Sequence, residues 1–115
     1  MGTITIQELE VSCCIGVPDE ERAKPQRLLV TLEMTVDLVT AVARDDVRWS
    51  IDYQVVAQRV AEFSTARSWY LIETLASEIA ELVLREFGAL SVTVEVKKFV
   101  LPQTRCVAVR VVRPM

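Results

Sequence analysis

The feature that most constrains the fold is a run of alternating apolar and polar residues from Leu28 to Leu38. This alternation has the period of a β-strand that buries one face and exposes the other. The apolar set is Val30, Leu32, Met34, Val36 and Leu38, and the polar set is Thr31, Glu33, Thr35 and Asp37. The chain is therefore expected to build a sheet with one covered face and one polar face.

The rest of the chain adds three strands and two helices to this strand. Apolar residues at every second position predict strands, and apolar residues three or four positions apart predict amphipathic helices. In chain order, the predicted elements are strand 3–15, strand 28–38, helix 53–66, helix 72–87, strand 92–97 and strand 107–111.

Two irregular features lie near the beginning of this pattern. The alternation of the first strand breaks at Gln7 and Glu8, which indicates a β-bulge. Residues 16–25 contain turn formers and charges without any period, so they are expected to form a long connection. Long connections in compact domains are often functional.

The ββααββ order predicts a single α+β domain over residues 1–115. Its four-stranded, mostly antiparallel sheet would carry both helices on one face. The other face is polar and both sheet edges are open, so several sheets joined edge to edge into a ring-shaped barrel would remove the edges. The hydrophobic content of 51% also favours apolar contacts between subunits. We therefore expect a homo-oligomer.

Charge and hydropathy exclude several classes of partner. The net charge is −3, and basic residues are scattered among acidic ones, which argues against a nucleic-acid groove. No uncharged run approaches the roughly 20 residues that span a bilayer. The N-terminal residues lack the basic start and apolar stretch of a signal peptide. We expect a cytoplasmic protein with no membrane partner.

The composition also limits the chemistry. The chain contains no histidine, which removes Ser-His and Cys-His catalysis and the usual catalytic zinc sites. Cys13, Cys14 and Cys106 lack metal-ligand spacing, and buried, reduced thiols are the favoured interpretation. Any catalysis must therefore use carboxylates, lysine, tyrosine or thiol, and we expect no metal or other cofactor.

Four polar residues are candidates for such chemistry, although each also has an ordinary structural explanation. Glu21 lies in the long connection, where charges are usually solvated. Glu73 lies at a helix start, where a carboxylate stabilises the helix dipole. Tyr53 opens the other helix, and Lys98 ends a strand beside Lys97. None of the four is specific when taken alone.

These residues occur within four short motifs. The motifs are Ile15–Arg22, in which Glu21 follows Gly16 by five positions; Asp45-Asp46 followed by Asp52-Tyr53; Leu71-Ile72-Glu73; and Val94–Lys98 followed by Leu101–Thr104. In order and spacing they resemble the motifs of the dihydroneopterin aldolase family, over nearly the whole chain from Ile4 to Arg113.

The chain departs from the family pattern at two positions. Ile15 stands where the family commonly has a histidine, and Phe99 stands where a proline commonly follows the catalytic lysine. Counting along the alternating valines favours Lys98 over Lys97 as the counterpart of that lysine.

The resemblance implies the tunnelling fold, with subunits arranged in rings as a tetramer or octamer and sites at subunit interfaces. It implies retro-aldol cleavage of 7,8-dihydroneopterin in folate biosynthesis. This reaction would be metal-independent, because the zinc-dependent relatives of this fold need histidine ligands and this chain has no histidine. The implied pterin-binding residues are Glu73 and the backbone of Leu71 and Ile72. The implied catalytic residues are Lys98, Glu21 beside it and Tyr53 from a neighbouring subunit.

Two alternatives remain open at this point. The epimerase branch of the same family breaks the same bond in dihydroneopterin or its triphosphate and reforms it with inverted configuration, and Phe99 keeps this option open. A non-catalytic, pterin-binding protein of the same fold is the second alternative. Trp69 and Tyr70 precede the Leu-Ile-Glu motif and could stack on a pterin, but packing between the helices is the favoured interpretation.

Overall fold

The alternating segment forms strand β2 (Gln26–Val36), one of the two inner strands of the sheet, in the computed structural model, which describes all of residues 1–115. Val30, Leu32 and Met34 are completely buried, and the polar residues between them lie on the opposite face. The other strands are β1 (Gly2–Cys13), β3 (Ser91–Lys98) and β4 (Val107–Arg113). The sheet order is β1-β2-β3-β4 with every neighbouring pair antiparallel, as predicted.

Two long helices cover the apolar face of this sheet. The helices of the chain are α1 (Asp19–Arg22), α2 (Val39–Arg44), α3 (Tyr53–Thr65) and α4 (Ile72–Phe87), with a 3₁₀ turn at Val47–Trp49. Helix α3 packs on β1, and α4 packs on β3 and β4. The predicted helices 53–66 and 72–87 are therefore confirmed, the first to within one residue.

The ends of these helices follow from local chemistry. The Asp52 side chain caps α3 by accepting hydrogen bonds from the backbone N–H groups of Gln54 and Val55. Helix α4 ends at Gly88, whose positive φ of 68° is a backbone conformation that glycine adopts without steric cost.

The structure differs from the sequence prediction in the connections. Strand β1 ends at Cys13 rather than residue 15, and β2 spans residues 26–36 rather than 28–38. The connection 16–25 contains the single helical turn α1, and residues 40–51 contain most of α2 and the 3₁₀ turn. Such short elements show too few turns to display a hydrophobic period, so the pattern could not reveal them.

The predicted bulge in β1 is confirmed. The register between β1 and β2 shifts between Ile6 and Leu9, and Glu8 adopts a positive φ of 55°. The extra residue leaves the Glu8 backbone N–H without a ladder partner, and it donates instead to Thr31 Oγ1 at 3.0 Å.

Trp69 and Tyr70 take different environments, although they are adjacent in the chain. Trp69 is buried, donates from Nε1 to the Ser64 carbonyl at 3.0 Å and packs against Phe63 with 5.7 Å between ring centroids. The predicted packing role is therefore confirmed for Trp69. The predicted packing role is wrong for Tyr70, which is 62% exposed and lies outside the core.

None of the helices combines the length and the apolar character that a membrane crossing requires.

The bulge generates a stability prediction. Glu8→Gly should leave the free energy of unfolding unchanged or raise it by up to about 1 kcal/mol, because glycine adopts a positive φ without steric cost. The matched control is Glu10→Gly in the same strand, which should cost about 1 kcal/mol because strand glycines add backbone entropy to the unfolded state. Denaturant unfolding at one protein concentration measures both variants, and an equal loss in both would contradict the strain assigned to Glu8.

Candidate active site

A cavity of about 360 Å³ opens where β3 ends. Its walls come from the connection between β1 and β2, the N-terminus of α4, the segment after β3 and the start of β4. Most of its lining is apolar, and its charged residues are Glu21, Glu73 and Lys98. Leu71 and Ile72 also line it, so five of the six predicted site residues share one cavity.

Strand β3 determines which of two adjacent lysines faces the cavity. Val94 and Val96 occupy the buried face, and the pleat places Lys98 at the next position of that face. Its side chain is only 12% exposed. Lys97 points to the opposite face, where its ammonium lies 3.4 Å from a carboxylate oxygen of Glu8. Of the two lysines, only Lys98 reaches the cavity.

Lys98 is paired with Glu21 at a distance of 2.7 Å between Nζ and Oε2. Gln26 Nε2 lies 3.4 Å from the same oxygen. The hydrogen bond from Lys98 is the largest influence on Glu21 and lowers its pKa, while partial burial opposes the shift and Gln26 adds to it. The carboxylate is therefore held ionised next to the ammonium group.

The connection that carries Glu21 is tied to the segment before α4. Ile15 and Trp69 form an isolated parallel β-bridge, in which Trp69 N–H donates to the Cys14 carbonyl at 2.9 Å and Gly16 N–H donates to the Trp69 carbonyl at 3.0 Å. This bridge places the segment bearing Glu21 beside the segment bearing Glu73. The two carboxylates therefore share a cavity although they are far apart in sequence.

Gly16 provides the space that Glu21 occupies. A Cβ atom on Gly16 would lie 2.5 Å from both Cδ and Oε1 of Glu21, and the φ of Gly16 is 149°. Any side chain at this position would push the carboxylate away from Lys98. Gln26 also supports the turn, because its Nε2 donates to the Ile15 carbonyl at 2.7 Å.

Glu73 occupies the first turn of α4, after the N-cap residue Leu71. The backbone N–H groups at a helix start have no partners within the helix, so Leu71–Glu73 offers both donors and a carboxylate to a bound molecule. Lys98 is the only cation that lines the cavity and is already paired with Glu21. The Glu73 carboxylate therefore remains available to donors from outside the chain.

Tyr53 is the predicted site residue that the fold does not bring to this cavity. It begins α3, is 64% exposed and does not line the cavity of its own chain. Sequence reasoning named Gly16 only as part of the motif with Glu21 and missed Gln26 altogether, because their roles depend on the path of the connection rather than on a periodic pattern.

The cavity combines a fixed acid–base pair with a hydrogen-bonding carboxylate and a mainly apolar wall. No group of three or more carboxylates or thiols comes together that could hold a metal ion.

All three cysteines are free, but only Cys13 is fully buried. The predicted burial is wrong for Cys14 and Cys106, which are half-buried. Burial raises the pKa of Cys13 to about 11, so its thiol stays protonated at neutral pH.

The chain is similar to known proteins in both sequence and structure. The family model for dihydroneopterin aldolase matches residues 4–112. The chain is 32% identical to dihydroneopterin aldolase of Haemophilus influenzae, over 98% of this chain and 97% of that protein. It superposes on the Escherichia coli dihydroneopterin aldolase in complex with neopterin with a TM-score of 0.93 and 30% identity, covering 98% and 99% of the two chains. A dihydroneopterin triphosphate 2'-epimerase of Pseudomonas aeruginosa is 24% identical over 85% of this chain and 80% of its own length.

The lowered pKa of Glu21 generates a pH prediction. At pH 7, Glu21→Gln should lower the free energy of unfolding by about 1–3 kcal/mol, because a hydrogen bond between charged groups is lost. This stabilisation is present above the unfolded-state pKa of about 4.3 and disappears as the pH falls through the lower folded-state value. Urea unfolding at several pH values and one protein concentration measures it.

The control for this prediction is Glu20→Gln, on the same helical turn and exposed to solvent. It should change stability little at any pH. Parallel pH profiles for wild type and Glu21→Gln would contradict the coupling between Glu21 and Lys98.

Proposed function

Because the chain belongs to the dihydroneopterin aldolase family, we propose that it cleaves 7,8-dihydroneopterin by a metal-independent retro-aldol reaction. The products are 6-hydroxymethyl-7,8-dihydropterin and glycolaldehyde, and the reaction serves folate biosynthesis. The observation that carries this proposal is the presence of Glu73 and the Glu21–Lys98 pair in one cavity. Its volume of about 360 Å³ lies within the range of small-molecule sites.

Glu73 anchors the pterin in this proposal. A carboxylate accepts two parallel hydrogen bonds from the 2-amino group and the adjacent ring N–H of a pterin, a bidentate match. The backbone groups of Leu71 and Ile72 hold the neighbouring edge of the ring. The neopterin complex of the Escherichia coli protein, which has nearly the same fold, supports a pterin as the ligand.

The substrate supplies its own electron sink. Dihydroneopterin carries a C6=N5 imine next to the side chain, so no Schiff base with lysine is needed. Loss of the proton from the C2' hydroxyl breaks the C1'–C2' bond and releases glycolaldehyde. The electron pair moves into a C6=C1' bond as N5 gains a proton. Protonation of C1' and loss of the N5 proton then restore the imine and give the hydroxymethyl product.

Lys98 and Tyr53 move the protons in this scheme. Lys98 acts through a water molecule at N5 and at the side-chain hydroxyl, and the ionised Glu21 at 2.7 Å orients its ammonium group and stabilises the charge. Tyr53 of a neighbouring subunit donates or relays a proton. General acid–base assistance of this kind typically contributes about 10²- to 10⁴-fold to the rate.

Three features support the proposal of a ring-shaped homo-oligomer, for which the resemblance to the family implies a tetramer or an octamer. Strands β1 and β4 are the two edges of the sheet. Polar residues such as Thr31 and Glu33 lie on the face opposite the helices. Tyr53 is exposed away from its own cavity, as expected of a residue that completes the site of another subunit.

Two alternatives have less support. The 2'-epimerase reaction uses the same bond cleavage followed by re-addition, but the related epimerase is more distant than the aldolases. A non-catalytic pterin-binding protein would not need Glu21 held ionised against Lys98.

Product analysis tests the aldolase assignment. Wild-type protein incubated with 7,8-dihydroneopterin should release glycolaldehyde, detected by derivatisation and chromatography. Lys98→Ala should lower kcat by about 10²- to 10⁴-fold without changing the oligomer, whereas Lys97→Ala should stay near wild type because Lys97 lies on the opposite face. Formation of the epimer without glycolaldehyde, from dihydroneopterin or its triphosphate, would establish the epimerase instead. If neither product forms, only the non-catalytic pterin-binding alternative remains.

Mixed oligomers test whether the site is shared. Tyr53→Phe and Lys98→Ala chains, each nearly inactive alone, should regain activity when unfolded together and refolded in equal amounts. If each site uses Tyr53 of one chain and Lys98 of another, random mixing makes about a quarter of the sites intact. Activity no higher than the mean of the two parents would show that both residues act within one chain.

A further inference from the structure

Tyr70 is the exposed aromatic residue in the cavity wall. Its side chain is 62% exposed, whereas the side chains of Trp69 before it and Ile72 after it are buried. It lines the same cavity as Glu73 and Lys98. A large aromatic ring left at the mouth of a cavity offers a flat apolar surface to a ligand.

One face of this ring is covered by Arg22. The Arg22 Cζ atom lies 4.2 Å from the ring centroid, which is the geometry of a cation–π contact. Arg22 does not line the cavity, whereas Tyr70 does. Arg22 therefore covers one face of the ring from outside the cavity, and most of Tyr70 stays exposed.

Arg22 is itself held in place by the connection before β2. Its Nη1 donates to the Gly16 carbonyl at 2.8 Å and to the Val17 carbonyl at 3.0 Å, and its Nη2 pairs with Asp19 at 2.6 Å. Its side chain is only 16% exposed. A guanidinium group with its edges bonded in this way presents a fixed flat surface to the Tyr70 ring.

The backbone on both sides of Tyr70 is also fixed. Trp69 forms the bridge to Ile15, and Leu71 is the N-cap residue of α4. The backbone beside Tyr70 is thus held by the fold, and Arg22 contacts one face of the ring, so binding costs less side-chain entropy here than at an unsupported exposed residue.

We propose that Tyr70, supported by Arg22, is a stacking platform for the planar bicyclic ring that Glu73 holds by its edge. This inference rests on the proposed function, because it assumes that the ligand of Glu73 is a pterin. The carboxylate of Glu73 recognises the hydrogen-bonding edge of the ring, and Tyr70, three residues earlier, contacts its face. Tyr70 is then a substrate-binding residue that takes no part in proton transfer.

Equilibrium titration with neopterin, monitored by calorimetry, tests this assignment. Tyr70→Ala should raise the Kd for neopterin by about 5- to 30-fold, as expected for loss of a ring stacked on a heterocycle. Tyr70→Phe should stay within about twofold of wild type, because the aromatic face remains. In steady-state assays, Tyr70→Ala should raise KM for dihydroneopterin by a similar factor and change kcat by less than about threefold.

The matched control is Trp49→Ala. Trp49 is also an exposed aromatic residue, at 50%, with an arginine over its ring, Arg44 at 5.5 Å, but it does not line the cavity. This variant should bind neopterin like wild type. Size-exclusion chromatography of each variant verifies that the oligomer is unchanged.

The outcomes separate this inference from the proposed function. Suppose that the wild type binds neopterin, that Glu73→Ala does not, and that Tyr70→Ala binds as tightly as the wild type. This result would overturn only the role of Tyr70. An equal loss in Tyr70→Phe and Tyr70→Ala would overturn it as well, because the hydroxyl rather than the ring face would then be responsible. Failure of wild type both to bind neopterin and to release glycolaldehyde would refute the proposed function and this inference together.

Discussion

Burial of the inner face of β2 is the constraint on which the rest of the structure depends. Because β2 pairs with β1 on one side and β3 on the other, its register sets the orientation of both neighbours. Shifting a strand by one residue would exchange its buried and exposed faces, so the fully buried Leu32 and Met34 make slippage costly. The same register pairs Leu28 with Lys98 and thereby turns the lysine side chain inward at the end of β3. A catalytic role for Lys98 is thus available only because apolar packing along the whole strand fixes its direction.

The second requirement is a link between segments that the sheet does not join. The bridge between Ile15 and Trp69 provides it, and the buried indole of Trp69 makes the bridge hard to break. Glu21 enters the cavity from one side of this link, and Glu73 enters from the other. Gly16 shapes the near side, because the carboxylate of Glu21 occupies the space where a side chain would be. The cavity therefore takes Glu21 from a connection, Glu73 from the start of α4 and Lys98 from the end of β3.

Much of this arrangement could be predicted from the sequence. In strands and helices, the period of apolar residues indicates which face each residue lies on. The inward direction of Lys98 was therefore predicted from Val92, Val94 and Val96. The bulge at Glu8 was predicted from a break in the alternation. Residues in connections carry no such signal. The contact of Arg22 with Tyr70 is an example, because neither residue belongs to a periodic segment that points it toward the other. Tyr70 was accordingly expected to pack between the helices, whereas it lines the cavity.

The sequence by itself determined the order of the four strands and two long helices, the polar outer face and the absence of histidine, since each is a property of residue type and spacing. It also identified Glu21, Glu73 and Lys98 as candidates, through motifs rather than through any contact. Only the tertiary structure decided that these three share a cavity, that Lys98 and Glu21 lie 2.7 Å apart and that Tyr53 lies outside it. The physical reason is that such distances depend on the path of irregular backbone between Cys13 and Gln26 and before α4. That path is set by long-range hydrogen bonds and packing, which no local pattern encodes.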